Sequence, residues 1–287
     1  MDRSVKPRHG IDRSMKVLEF GPAYFPICRR ADGWNAFTFD YASQEELREK
    51  YRDQGVDLVD AIGPVDFVSR GGPVLDCIPA AHHGTFDAVL ASHVIEHFPD
   101  PIGWFRDLST LTTPSAIVSL VVPDKRWCFD FFRPLTTAGH WMEANRARRT
   151  RHTRAARFEY ETYAILNDGG HAWGQGPLQN PRFAAAPPDA AHAIFATDPE
   201  AGAYVDCHAW CFTPSSFELL ITELHALGEI DFRPVHSFPS EGCEFFMTLE
   251  RSADRETDVA RLQARRMALM LAAGRELKEQ LDTLPPQ

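Results

Sequence analysis

Up to about residue 125, short and continuously apolar runs alternate with polar, helix-like stretches. Lys16–Phe20 (KVLEF) reads as a first strand stopped by Gly21-Pro22, and Trp34–Phe39 (WNAFTF) as a second, ending at Asp40. Ser43–Arg52 is helical, with Ser43 as N-cap and Glu46 three residues on in a capping-box pattern. Val65–Val68, Phe86–Ala91 (FDAVLA) and Ala116–Val122 (AIVSLVV) read as strands three to five, with a helix at Trp104–Leu111 between the last two. Strands that are apolar throughout, rather than alternating, suit a parallel sheet covered on both faces. Their alternation with helices predicts an α/β fold, a doubly wound, mostly parallel sheet. Ligands of such sheets bind beyond the C-terminal strand ends, so the residues just after each strand carry the interest.

The pattern breaks between 134 and 205, where an Arg cluster is followed by Gly- and Pro-rich stretches (DGGHAWGQGPLQNP, AAAPPDAA). It resumes with a helix at Pro214–Leu227, capped by Thr213 with Pro at its first position, then strands at Ile230–Ser237 and Glu244–Glu250. The tail, Ala253–Leu284, reads as a long polar helix with Met270, Ala273, Leu277, Leu281 and Leu284 as an apolar seam. The expected organisation is therefore 1–133 as the cofactor-binding half, 134–205 as an insertion or lid over the acceptor, 206–251 completing the sheet, and 252–287 as a helical tail. The seam fits docking on the chain's own domain or a homodimer through a short coiled coil.

Composition narrows this picture. The chain of 287 residues carries a formal net charge of −10, which excludes a surface that is basic overall and built for nucleic acid. No uncharged apolar run is long enough to span a membrane, and the charged start, MDRSVKPRHG, lacks the apolar stretch of a signal peptide. Six cysteines without a CxxC pair predict reduced thiols and a cytoplasmic protein.

Glu19 and Asp40 stand at the ends of the first two strands. In nucleotide-binding α/β folds an acid about 20 residues past the first turn accepts from both ribose hydroxyls. Gly21 permits close backbone approach, but Pro22-Ala23 replaces the rest of GxGxxG, which favours a nucleoside ligand lacking a pyrophosphate. VLEFGPAYFPI, FDYAS, FDAVLASHVIEHFPDPIGWFRDL and VSLVVPDKRWCFDFFRP together resemble a class I S-adenosylmethionine-dependent methyltransferase, with HAWCFTPSSFELL and PSEGCEFFMTL resembling its C-terminal half. The particular branch, with its EIGP-type first motif and ASHVIEH.PD fourth strand, is often associated with bacterial glycan and glycosyltransferase functions. The resemblance implies S-adenosylmethionine as cofactor and a Rossmann-like seven-stranded sheet. It implies that Glu19 and Gly21 line the methionine end, Asp40 binds the ribose, Gly71-Gly72 lie near the adenine, and Ser92 and His93 sit beside the sulfonium. Two departures stand out: the second glycine of the first motif is missing, and Arg70 occupies a commonly acidic position.

Methyl transfer to a hydroxyl needs alignment and a proton acceptor. His93 is the first candidate base, with His208 and Asp124 next; His97 reads as structural. HVIEH (93–97) also fits a zinc-protease pattern, but that motif needs a helix, and here it follows a strand and precedes Pro99 and Pro101. Cys207, His208 and Cys211 lack a second ligand pair, so no metal is expected. Arg146–Arg157 (RARRTRHTRAAR), six Arg and no acid, suits an anionic acceptor such as a phosphorylated glycan. The expected function is O-methylation of a sugar or glycan intermediate; the alternative is a non-catalytic, methyltransferase-like partner of a glycan-assembly enzyme.

Overall fold

The computed structural model describes residues 5–69, 72–184, 187–196 and 204–285. The strands are β1 (Val17–Phe20), β2 (Ala36–Asp40), β3 (Phe67–Val68), β4 (Phe86–Ser92), β5 (Thr112–Pro123), β6 (Ile165–Asn167), β7 (Gly170–His171), β8 (Arg182–Phe183), β9 (Phe232–Glu241) and β10 (Glu244–Arg251). The helices are α1 (Gln44–Asp53), α2 (Pro101–Leu111), α3 (Ala138–Arg146), α4 (Arg154–Tyr163), α5 (Pro188–Ala196), α6 (Pro214–Leu227) and α7 (Val259–Leu281). One seven-stranded sheet runs in the order β3-β2-β1-β4-β5-β10-β9. Its first five strands pair in parallel, and β10 joins β5 and β9 antiparallel. This is the mostly parallel, Rossmann-like sheet that the apolar strands predict.

The continuous apolar character of β4 has a direct cause. Phe86, Val89 and Ala91 enter the main core with α2, α3 and α6, while Ala88 and Leu90 face a second cluster. That second cluster is closed by Ile11, Ile27, Cys28 and Trp34, which belong to the N-terminal segment and the β1–β2 connection rather than to a helix. The N-terminal segment is fastened across the sheet: His9 stacks on His236 at 4.2 Å, and Lys6 pairs with Glu241 at 2.6 Å.

Ser43 and Glu46 form the reciprocal capping box of α1. Asp100 caps α2, accepting from Gly103 N–H at 2.9 Å, and Pro101 opens the helix. Between 134 and 205 lie α3, α4 and α5 and a small antiparallel sheet, β7-β6-β8, which periodicity does not reveal because its strands have only two or three residues. The tail helix α7 docks on α6 through Arg265–Glu218, Arg266–Glu223 and Glu276–Ser215. Of its apolar seam Ala273 is buried, whereas Met270, Leu281 and Leu284 are exposed, because Gln280 rather than Leu281 turns inward. Buried Lys125 donates from Nζ to Phe131 O at 2.7 Å and to Gln280 Oε1 at 2.9 Å, tying α7 to the segment after β5. All six cysteines are free, and no helix among the described residues is long and apolar enough to cross a membrane.

Candidate active site

The strand order reverses between β1 and β4, so the connections leaving these two strands diverge and open a crevice at their C-terminal ends. Gly21 sits on one side of it, with φ of +59° and its amide donating to Phe39 O at 2.9 Å. A Cβ at this position would lie 2.9 Å from Val94 Cγ2, so only glycine fits both the turn and the approach. Asp40, at the tip of the neighbouring β2, is 5% exposed and accepts from Tyr41 N–H at 2.7 Å. Burial pushes its carboxyl up to about 6. Glu19 points to the sheet face closed by the β1–β2 connection; its two oxygens accept from Ile27 N–H at 2.6 Å and Cys28 N–H at 3.0 Å. Burial raises it to about 7. The Glu19 carboxylate is thus committed to shaping the loop after β1. Gly72 is in the positive-φ region with open space around it, while Gly71 and Arg70 lie outside the described residues.

Across the crevice, Ser92 ends β4 and His93 follows with φ of +54°, a conformation uncommon for a side chain with a Cβ. His93 N–H donates to Val121 O at 2.9 Å, and its Nε2–H donates to Glu244 Oε2 at 2.7 Å. Half-exposed Trp173 lies beside it, ring centroids 5.5 Å apart, and stacks in turn on Phe129 at 5.3 Å. Residues 95–97 then form a single 3-10 turn, so His93 and His97 do not share the helix that the zinc-protease pattern needs.

His208 reaches the same place from a distant segment, because Ala209 N–H donates to Glu96 O at 2.8 Å. Its Nδ1–H donates to Asp130 Oδ2 at 2.6 Å, and Arg133 holds the other Asp130 oxygen at 2.8 Å. Burial alone would push Asp130 up; His208 and Arg133 outweigh it and hold the carboxyl at about 2. His97 donates from Nδ1 to Asp206 at 2.9 Å, and Tyr204 Oη donates to His97 O at 3.1 Å. Asp124 is fully buried and occupied elsewhere: Arg126 donates to it at 2.6 Å and Ser240 at 2.5 Å. Of the three candidate bases, His93 and His208 therefore come together around Glu96, and Asp124 is sealed in an ion pair. Among the described residues neither Cys207 nor Cys211 joins His208 in a ligand cluster; burial pushes the Cys207 thiol up to about 12. Glu96, Asp130, Asp206, Glu244 and Trp173 were not legible as site residues, since each is far in sequence from at least one of its partners.

A cleft of about 350 Å³ adjoins this region, lined by Pro99, Trp210, Arg149, Arg151, His152 and Glu159 among others. Two arginines of the 146–157 run thus face one cavity, whereas Arg154 is exposed on the first turn of α4.

A family model described as "Methyltransferase domain" matches residues 3–169, more than half of the chain. The chain belongs to this methyltransferase family. It is a class I S-adenosylmethionine-dependent methyltransferase, and S-adenosylmethionine is its cofactor. No curated protein matches the sequence significantly. Among solved structures, a SAM-dependent methyltransferase from Aquifex aeolicus aligns at 12% identity and TM-score 0.39, over 84% of this chain and 85% of that one. A Rhodobacter sphaeroides protein described as a Zn-dependent alcohol dehydrogenase aligns at 14% and 0.48, over 88% and 89%. The Burkholderia thailandensis 1,6-didemethyltoxoflavin-N1-methyltransferase, solved with S-adenosylhomocysteine, aligns at 15% and 0.40, over 87% and 76%.

The methyltransferase crevice fits its cofactor by donor chemistry. A buried carboxylate at the β2 tip suits a ribose diol, and a side-chain-free turn after β1 lets a ligand approach the backbone.

Proposed function

We propose that this methyltransferase transfers its methyl group to a hydroxyl oxygen of a sugar or glycan intermediate, as the resemblance of ASHVIEHFPD to the glycan-associated branch suggests. The carrying observation is the His93–Glu244 pair at the end of β4, beside the exposed face of Trp173. An aromatic face packs against the C–H side of a sugar ring, while a histidine at the rim meets its hydroxyls. The bound cofactor supplies an electrophilic methyl on a sulfonium. Asp40 accepts from the ribose hydroxyls, and the Gly21 turn shapes the wall for the methionine moiety, its loop held from beneath by Glu19. Glu244 fixes the His93 tautomer with the proton on Nε2, leaving Nδ1 to take the proton of the acceptor hydroxyl. The carboxylate then stabilises the imidazolium.

The 134–205 segment serves as the acceptor region in this reading, with Arg149 and Arg151 in the adjoining cleft suiting a phosphate or carboxylate on the acceptor. The exposed positions Met267, Met270 and Leu271 of α7 suit a homodimer contact.

The test is a mass-spectrometric screen of phosphorylated and nucleotide-linked sugars for gain of a methyl group. With a found acceptor, His93→Gln should lower kcat by about 10²- to 10⁴-fold while cofactor affinity is kept. Arg149→Ala with Arg151→Ala should raise the acceptor KM and flatten its salt dependence. Methylation of nitrogen or carbon acceptors alone would refute the reading.

A further inference from the structure

Glu96 is 1% exposed, and neither of its carboxylate oxygens has a hydrogen-bond partner. A buried, unpaired carboxylate is costly enough to require compensation. Its Oε1 lies 3.7 Å from His97 Nε2, 3.9 Å from His208 Nε2 and 3.7 Å from His93 Nδ1. These separations are too long for hydrogen bonds.

Hydrogen bonds behind two of the rings fix how they face Glu96. An ionised carboxylate can only accept, so Asp206 and Asp130 draw the proton of His97 and His208 onto Nδ1. Both rings thereby turn Nε2 toward the Glu96 carboxylate, at distances that no hydrogen bond spans. A cation held between them would be ligated by Glu96 Oε1 and both Nε2 atoms together. Carboxylates behind the outer nitrogens are also what orients histidine ligands toward a metal.

We propose that Glu96, His97 and His208 bind a divalent transition-metal ion at the strand-end face of the methyltransferase. The three ligand atoms lie within 4.8 Å of one another. Bonds of ~2.1 Å in tetrahedral arrangement would set neighbouring ligands ~3.5 Å apart, so a small contraction around the ion completes the site. Two imidazoles and one carboxylate favour zinc, iron, cobalt or manganese over calcium, which takes oxygens. Glu96 forms the floor and His208 is nearly enclosed, whereas the His97 side chain is 29% exposed and the His93 side chain 20%. The ion is therefore reached from the rim where His93 stands, and its open position points to an oxygen ligand. Resting on the function proposed above, we assign that position to an acceptor oxygen, whose proton becomes easier to remove when a metal polarises it.

The site escapes the sequence because its ligands combine a 3-10 turn with a residue more than a hundred positions away. The HVIEH pattern supplies Glu96 and His97, and the third ligand is not His93 on a helix but His208.

Untagged protein, dialysed against metal-free buffer, should contain or take up one equivalent of zinc, manganese or cobalt, read by elemental analysis and by calorimetry with each metal alone. Glu96→Gln and, at the exposed rim, His97→Gln should each abolish stoichiometric binding while circular dichroism and Tm show a folded chain. Asp206→Asn should weaken binding about 10- to 100-fold. Cobalt should give a visible absorption band that both ligand variants lack. No saturable binding by wild type, or binding unchanged in Glu96→Gln and His97→Gln, overturns the proposal. S-adenosylmethionine titration separates the failures: cofactor binding without metal binding leaves the methyltransferase reading intact and removes the metal.

Discussion

At Asp40 the proposed ribose binding and the residue's effect on stability make opposite demands. Burial pushes its carboxyl up to about 6, yet accepting two ribose hydroxyls requires the ionised form. Because its folded pKa lies above the unfolded value of ~3.9, the stability it contributes is complete below pH ~4 and lost as pH rises through about 6. Asp40→Asn should therefore be more stable than wild type at pH 8, by about 1–3 kcal/mol, with the gain vanishing at pH 4; paired thermal melts check this. The same variant should lose S-adenosylmethionine affinity at neutral pH, and wild-type affinity should fall as pH drops below about 6, read by calorimetric titration. The position of Asp40 at the tip of β2 was legible, since it ends the apolar run WNAFTF. The hydrogen bonds of Glu19 were not, because the turn that brings Ile27 and Cys28 over it has no periodic signature.

At the level of elements, the seven strands of the sheet and the starts of α1 and α6 were readable in local sequence, Ser43 with Glu46 and Thr213 with Pro214, whereas the helix expected at Trp104–Leu111 begins three residues earlier, at Pro101 behind its cap Asp100. The small sheet β7-β6-β8 and the 3-10 turn at 95–97 were not readable, since strands of two or three residues carry no period. Helix α7 shows how an apolar pattern can mislead: its inward position is Gln280, recruited by the buried ammonium of Lys125. Gln280→Ala leaves one buried Lys125 donor without its acceptor while Phe131 O keeps the other, at a cost of about 1–3 kcal/mol. Urea unfolding followed by circular dichroism should show a lowered midpoint with the slope unchanged.

For the whole molecule, the crevice at the β1–β4 reversal, the Glu96 cluster and the arginine-lined cleft lie along one strand-end face, supplied by segments from residue 21 to residue 244. A cofactor bound there acts only on the folded chain. At 100 times its Kd, S-adenosylmethionine should add about 2.7 kcal/mol of stability, seen as a Tm increase that grows with the logarithm of concentration. Asp40→Asn should blunt that increase at the same concentration.

The covering of one sheet face by the segment before β1 carries a consequence for biosynthesis. Ile11 and Ile27 close over Val17, Ala88, Val121 and Phe246, and His9 waits for His236. Residues 9 and 11 thus find their last partners only when β9 and β10 have emerged. A nascent chain paused before β10 leaves the β5 edge unpaired and this cluster without Phe246, so chaperone engagement should persist until synthesis has passed residue 251.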